Sequence, residues 1–233
     1  MAHVSDYDAF APVYDELASV MTEDVPFYVE LAAAAQGPVV ELAVGTGRVA
    51  IPIAERTGRR VIGIDVSVEM LEVARRRAAD AGVELELRQG DMTELALDEP
   101  TDLVICPFRA MLHLSGHDAR VGVMSRVRAA LVPGGRFAWN AFVFDQAIAD
   151  EIAGVWRDES GVRSRSTYDL DERRIDLELE SGAKVPLWWV DRDEWEAAIG
   201  AAGLEVEALY GWFDRRPFDD ASPEFVYVVR RPA

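Results

Sequence analysis

The sequence predicts an α/β fold with a largely parallel sheet and an inserted antiparallel β segment. Before residue 145, short apolar runs alternate with helical patterns five times, as in βαβ units joined by right-handed crossovers. Glycine or acidic residues follow several of these runs, at the edge where open α/β sheets bind ligands. Beyond residue 145, polar and apolar residues alternate, which is typical of antiparallel strands with one exposed face.

The composition limits the class of protein. A length of 233 residues, half of them hydrophobic, suits one domain over 1–233. No apolar run approaches the roughly 20 residues of a membrane span, and residues 1–6 lack the basic and apolar parts of a secretory signal. We therefore expect a cytoplasmic protein that does not bind membranes. A net charge of −18 would repel a phosphate backbone, so nucleic acid is not an expected partner.

The N-terminal region is predicted to be helical. Tyr7, Phe10 and Tyr14 stand at helical spacing, and a second helix is predicted over 26–35. Two interpretations of region 1–36 stay open. It packs on the flank of the sheet, or it is a lid whose tyrosines reach a ligand site.

The segment 39–48 predicts a strand, a tight turn and the start of a helix. Its apolar run ends in an acid, Glu41, and is followed by Gly45 and Gly47. Glycines let the backbone turn sharply and approach a ligand, while the helix presents unpaired N–H groups. A polar, nucleotide-like ligand is therefore expected at this turn.

The remaining strands follow from short apolar runs bounded by turn residues. Parallel strands are predicted at 61–65, 83–88, 103–106 and 136–144. The segment 146–190 is predicted to be an insertion of short antiparallel strands that binds substrate or pairs with a second copy in a homodimer. After a helix with a capping box formed by Asp191 and Glu194, two final strands are predicted at 204–213 and 224–230.

Acids at two strand ends indicate how a nucleoside would bind. Asp65 follows Gly47 by 18 residues, near the interval at which an acid accepts from ribose hydroxyls. Asp91, after the third strand, is placed to accept from an adenine amine, with Met92 against the ring. Each has a structural alternative, as an exposed strand-end acid or a turn-forming aspartate.

Two ligand classes fit these residues, because the glycine turn also satisfies the dinucleotide pattern G-x-G-x-x-A. Glu41 distinguishes them. An acid four residues before the first glycine opposes a pyrophosphate but suits a cationic group such as an amino-acid ammonium.

Successive motifs over about residues 38–145 resemble those of class I S-adenosylmethionine-dependent methyltransferases. They are 41–47, Asp65, 90–92, 103–108 and 131–135. One departure is Ala43, where the family usually has its first glycine, and we expect cofactor binding to survive it. The resemblance implies a Rossmann-like, doubly wound, seven-stranded sheet whose last strand is antiparallel, and S-adenosylmethionine as the cofactor.

The resemblance also implies site roles. Glu41 would lie near the methionine part of the cofactor, Phe108 would line the methyl-transfer face, and Tyr14 would close over cofactor and acceptor. The predicted cofactor-binding residues are Tyr14, Glu41, Ala43, Gly45, Gly47, Asp65, Val66, Met70, Asp91, Met92 and Phe108. No metal site is predicted.

The acceptor is expected to be a small molecule, such as an amino sugar or another secondary metabolite. Tyr14, Asn140 and Trp156 are the predicted substrate-binding residues. His113 is the candidate general base, with a hydrogen-bonded structural role as the alternative. Two other functions stay open: a protein that binds the cofactor without transferring methyl groups, and an NAD(P)-dependent oxidoreductase.

Overall fold

The computed structural model describes residues 8–14, 21–159 and 161–233. The helices are α1 (Asp24–Ala34), α2 (Ala50–Thr57), α3 (Val68–Asp80), α4 (Gly116–Ala130), α5 (Gln146–Ile152) and α6 (Arg192–Ala201). The strands are β1 (Val39–Leu42), β2 (Val61–Asp65), β3 (Glu86–Gln89), β4 (Thr101–Cys106), β5 (Leu131–Phe142), β6 (Arg157–Glu159), β7 (Val162–Asp169), β8 (Arg174–Leu179), β9 (Lys184–Trp188), β10 (Glu205–Tyr210) and β11 (Glu224–Arg230).

Seven strands form the main sheet, in the order β10-β11-β5-β4-β1-β2-β3. Strands β1 to β5 pair in parallel, whereas β11 is antiparallel to both β5 and β10. The predicted Rossmann-like sheet with an antiparallel last strand is therefore confirmed. The strand order reverses between β1 and β4, which places a ligand crevice at the carboxyl ends of these two strands.

Apolar residues of the central strands pack on both faces of this sheet. On β1, Val40 and Leu42 belong to one core cluster and Val39 belongs to the other. All four residues of β1 and all five of β2 are buried. Burial on both faces explains why these strands are continuous apolar runs in the sequence.

The observed bounds differ from the predicted ones where backbone groups serve a helix end or an extra partner. Strand β3 begins at Glu86 rather than at residue 83 because the Val83 N–H donates to Ala78 O to close helix α3. Strand β5 begins earlier than predicted, since Gly134 and Gly135 bond with Arg231 beyond β11. The predicted capping box of Asp191 and Glu194 is present at α6.

A second, four-stranded antiparallel sheet is formed by β6 to β9 in sequence order. Its apolar face contributes Val162, Leu179 and Val185 to a small cluster that also contains Phe10 and Met70. The insertion therefore packs on the N-terminal segment and on the first turn of α3.

The N-terminal region is only partly described. Residues 11–13 form a 3-10 turn (Ala11–Val13) and the second predicted helix appears as α1. Tyr7 of the predicted first helix lies outside the described residues. Among the helices that the structure describes, none combines the length and apolarity needed to cross a membrane.

Candidate functional site

The turn after β1 is held in an unusual backbone conformation. Ala43, Gly45 and Gly47 all have positive φ, at 53°, 55° and 79°. The Gly47 N–H donates to Val44 O at 3.0 Å, and Gly47 O then accepts from Ile51 N, within the first turn of α2. Glycine adopts this region freely, but an alanine there is strained by about 1–2 kcal/mol. The turn lies at the carboxyl edge of the sheet, where Val44 to Gly47 are buried.

Asp65 joins this turn to the end of β2. Its Oδ2 accepts from the Gly45 N–H at 2.8 Å and its Oδ1 from the Ser67 N–H at 2.9 Å. The side chain is largely buried, and burial raises the pKa of Asp65 while the Ser67 and Gly45 N–H groups oppose the rise. Since each carboxylate oxygen can accept more than one hydrogen bond, acceptor capacity remains for a ligand.

Glu41 is a buried acid that the described protein does not satisfy. It is 2% exposed, and among the described residues its Oε2 has no hydrogen-bond partner. Burial raises the pKa of Glu41 well above its ordinary value, and the nearby Arg48 only partly offsets this. A buried carboxyl oxygen without a donor is costly, by about 1–3 kcal/mol, so the position favours a ligand that carries a donor or a cation.

Arg48 and Asp24 form an ion pair beside Glu41. Arg48 donates to both oxygens of Asp24, at 2.7 and 2.5 Å, and to Met21 O at 2.9 Å. The Asp24 side chain is fully buried. Sequence reasoning missed this pair, because its two residues are 24 positions apart and no local pattern connects them.

Tyr14 and Phe108 form an aromatic roof over the turn. Their rings meet edge to face with 5.8 Å between centroids. A Cβ atom at position 45 would lie 3.5 Å from Tyr14 Cε1, so the Tyr14 ring rests on the glycine turn. The N-terminal segment is also tied to the site by Asp8, which accepts from the Ser67 hydroxyl at 2.6 Å. Burial raises the pKa of Tyr14, which keeps its hydroxyl protonated.

The other predicted cofactor-binding residues differ in their hydrogen bonds and in their burial. Asp91 Oδ1 accepts from Thr93 N and Oγ1, at 2.8 and 2.7 Å, which leaves its Oδ2 outside these bonds. Met92 is partly buried against the main core and Val66 is half-buried. Met70 is buried in the cluster that contains Phe10, in the first turn of α3.

Two predicted substrate-binding residues have structural partners. Asn140 is fully buried, where its Oδ1 accepts from the Tyr28 hydroxyl and its Nδ2 donates to Glu224, both at 3.1 Å. Trp156 lies under the guanidinium of Arg165 beside the second sheet, at 4.7 Å. A role for either residue in substrate binding stays a prediction.

His113 connects the two sheets. Its Nδ1 lies 3.0 Å from Pro186 O on β9. Burial lowers the pKa of His113 to about 4, with the Pro186 carbonyl partly opposing this shift. The ring is therefore neutral at pH 7, and its Nδ1–H donates to the carbonyl.

We predict opposite stability effects for two substitutions in the turn. Ala43→Gly removes strain of about 1–2 kcal/mol but adds unfolded-state freedom of about 0.5–1 kcal/mol. The free energy of unfolding should stay the same or rise by up to about 1.5 kcal/mol in urea titrations. Gly47→Ala places a Cβ at 3.1 Å from Ile51 Cδ1 and should lose about 1–3 kcal/mol. A clear loss of stability in Ala43→Gly would contradict the strain argument.

We also predict an acid-linked loss of stability through His113. The unfolded chain binds this proton near pH 6.5 and the folded protein only near pH 4, so stability falls as the pH drops through this interval. Wild-type protein should lose about 1–2 kcal/mol more than His113→Gln between about pH 7 and pH 5. Chemical denaturation at each pH measures the free energy of unfolding. The same dependence of this free energy on pH in the wild type and in His113→Gln would refute the prediction.

The comparisons with known proteins agree with this geometry. A family model described as a methyltransferase domain matches residues 39–135. An amino-sugar N,N-dimethyltransferase from Streptomyces fradiae, named for dTDP-3-amino-3,6-dideoxy-alpha-D-glucopyranose, is 27% identical over 190 residues, 74% of this chain and 72% of the relative. The chain spans about half the length of several other curated methyltransferases that it matches.

Comparison with solved structures also identifies methyltransferases. The CcbJ methyltransferase from Streptomyces caelestis is 29% identical, with a TM-score of 0.77 over 91% of this chain and 89% of that one. The amino pentose methyltransferase CalS10 from Micromonospora echinaspora, solved with S-adenosylmethionine bound, shares the fold with a TM-score of 0.67 at 23% identity, over 96% of each chain. The chain is therefore a methyltransferase, with a methyltransferase domain over residues 39–135 and the fold of S-adenosylmethionine-dependent methyltransferases.

Proposed function

We propose that this methyltransferase methylates an amine nitrogen on a small molecule of the amino-sugar class. The observation that carries the proposal is the acidic lining of the site. Glu41 and Asp65 are buried beside the glycine turn, Asp8 is near enough to raise the pKa of Asp65, and the nearby Arg48 is already paired with Asp24. Such a lining favours cationic groups, because a bound cation stabilises the charged form of a buried carboxyl; the cofactor carries such groups and the amine is attracted as its ammonium.

The site residues fit the cofactor. Glu41 Oε2, which lacks a donor among the described residues, suits the ammonium group of the methionine part. The remaining acceptor capacity of Asp65 suits the ribose hydroxyls, and Asp91 Oδ2 with Met92 suits the adenine. The backbone from Ala43 to Gly47 then lies beneath the ligand. When bound, the cofactor supplies an electrophilic methyl group on a sulfonium.

The protein's main tasks in such a transfer are to align the acceptor lone pair and to exclude water. Phe108 and Tyr14 form a roof that performs the second task. His113 does not serve as the base in this proposal, because burial lowers its pKa to about 4 and makes the ring a poor proton acceptor at pH 7. Burial raises the pKa of Tyr14, so its hydroxyl keeps its proton and is not the base either. The acceptor amine therefore gives its proton to bulk solvent before the site closes over it, and it reacts as the neutral amine.

The acceptor class is supported by the names of two related proteins. The relative from Streptomyces fradiae is named for an amino sugar, and CalS10 is named for an amino pentose.

We assign acceptor contacts to the N-terminal segment, as a lid within 1–36, and to the insertion 146–190. Both border the roof, since Tyr14 packs against the cluster that contains Phe10, Val162 and Leu179. We also propose that the enzyme works in the cytoplasm. Its net charge of −18 would repel a phosphate backbone, so we do not expect nucleic acid as a partner.

We predict that the purified enzyme methylates an amino sugar but not its hydroxyl analogue. The probes are dTDP-3-amino-3,6-dideoxyglucose and the matched sugar nucleotide with a hydroxyl at carbon 3, each incubated with methyl-labelled S-adenosylmethionine. The rate on the amine should rise with pH as the fraction of neutral amine rises, without a step near pH 6.5 from a histidine base. Equal labelling of the hydroxyl analogue would contradict the proposal.

A further inference from the structure

The backbone after β4 is strained at two consecutive positions. Phe108 and Arg109, defined here as the β4 turn, have φ values of 55° and 65°, although neither is glycine. Left-handed residues of this kind persist only where their surroundings fix them, and they cluster at functional sites. The β4 turn lies at the carboxyl edge of the sheet and presents the Phe108 ring to Tyr14.

The first constraint on the β4 turn is a buried acid. Arg109 Nε donates to Glu224 Oε1 at 2.7 Å, and Arg109 Nη2 contacts the same oxygen. The Glu224 side chain is fully buried, whereas Arg109 is 37% exposed. Glu224 Oε2 in turn accepts from Asn140, which accepts from the Tyr28 hydroxyl. A chain of hydrogen bonds through the core therefore fixes the second residue of the turn.

The second constraint acts on the ring itself. The Arg48 guanidinium lies over the Phe108 ring, 4.8 Å from its centroid. Arg48 is held by two hydrogen bonds from its guanidinium to Asp24. The Tyr14 ring also meets Phe108 edge to face, so contacts with Arg48 and Tyr14 together fix the position of the ring. Two fully buried acids thus each pair with an arginine next to Phe108: Asp24 with Arg48, which lies over the ring, and Glu224 with Arg109, the following residue of the turn.

We infer that Arg109 and Arg48 are positioning residues that hold the Phe108 ring against the sulfonium of the cofactor. This rests on the placement of Phe108 at the methyl-transfer face. An aromatic face attracts a cation but gives a neutral thioether no such advantage. The positioned ring therefore favours S-adenosylmethionine over its demethylated product, S-adenosylhomocysteine. Loss of either arginine moves the ring and weakens this discrimination.

The test measures the affinities of S-adenosylmethionine and S-adenosylhomocysteine by calorimetry, with no acceptor present. Phe108→Leu and Arg109→Met should each lower the ratio of the two affinities by about three- to tenfold. The control is Arg136→Met. Arg136 pairs with Glu207 at 2.7 Å on the same sheet, beside the amino end of β4, so this variant should leave the ratio unchanged.

A double variant separates positioning from general stability. Arg109→Met/Glu224→Gln removes both charges but keeps an acceptor oxygen for Asn140, so it should recover thermal stability lost in Arg109→Met. We expect its affinity ratio to stay low. Recovery of the ratio together with stability would overturn the inference, as would an unchanged ratio in folded Arg109→Met.

The outcomes also separate this inference from the proposed acceptor. An unchanged ratio in Phe108→Leu would refute the placement of the ring and the inference with it. A lowered ratio in Phe108→Leu but not in Arg109→Met would refute only the positioning role. The choice of an amine acceptor is tested independently, since no acceptor enters these titrations.

Discussion

The site is arranged around a buried carboxyl group that the described protein leaves incompletely satisfied. Glu41 is the third residue of β1, beside the point where the strand order reverses, and its Oε2 finds no donor among the described residues. The surrounding acids and low exposure hold its pKa high. Such a group is expensive in an empty site and becomes favourable when a cationic ligand is bound. We infer that Glu41 thereby favours an adenosyl cofactor with an ammonium and a sulfonium over a pyrophosphate-bearing dinucleotide.

Backbone strain lies just beyond the ends of β1, which carries this acid, and of its neighbour β4. Ala43 follows β1 and Phe108 follows β4, and both adopt left-handed conformations that side chains disfavour. Hydrogen bonds stabilise each distortion: Asp65 accepts from Gly45 in the first turn, and Glu224 holds Arg109 in the second. The crevice is therefore preorganised by the two strands between which the sheet topology opens it.

Much of the fold could be predicted because its signals are local. Burial on both faces makes β1 and β2 continuous apolar runs, and Ser67 caps α3 through a bond to Met70 N, three residues later. The pairs that shape the site carry no such signal. Arg109 and Glu224 are 115 positions apart, and burial of an acid depends on which partner the fold brings to it. The role of Asn140 in a hydrogen-bonded chain was not predictable for the same reason.

The central claim is that the cofactor's cationic group binds at Glu41. Because burial keeps Glu41 protonated well above its ordinary pKa, a cation bound beside it should lower that pKa and release a proton. Calorimetric titration with S-adenosylmethionine at about pH 6, in two buffers of different ionisation enthalpy, measures this release. We predict a release of up to about one proton in the wild type and none in Glu41→Gln, together with weaker binding by the variant. A binding enthalpy independent of buffer, with equal affinity in Glu41→Gln, would contradict the claim.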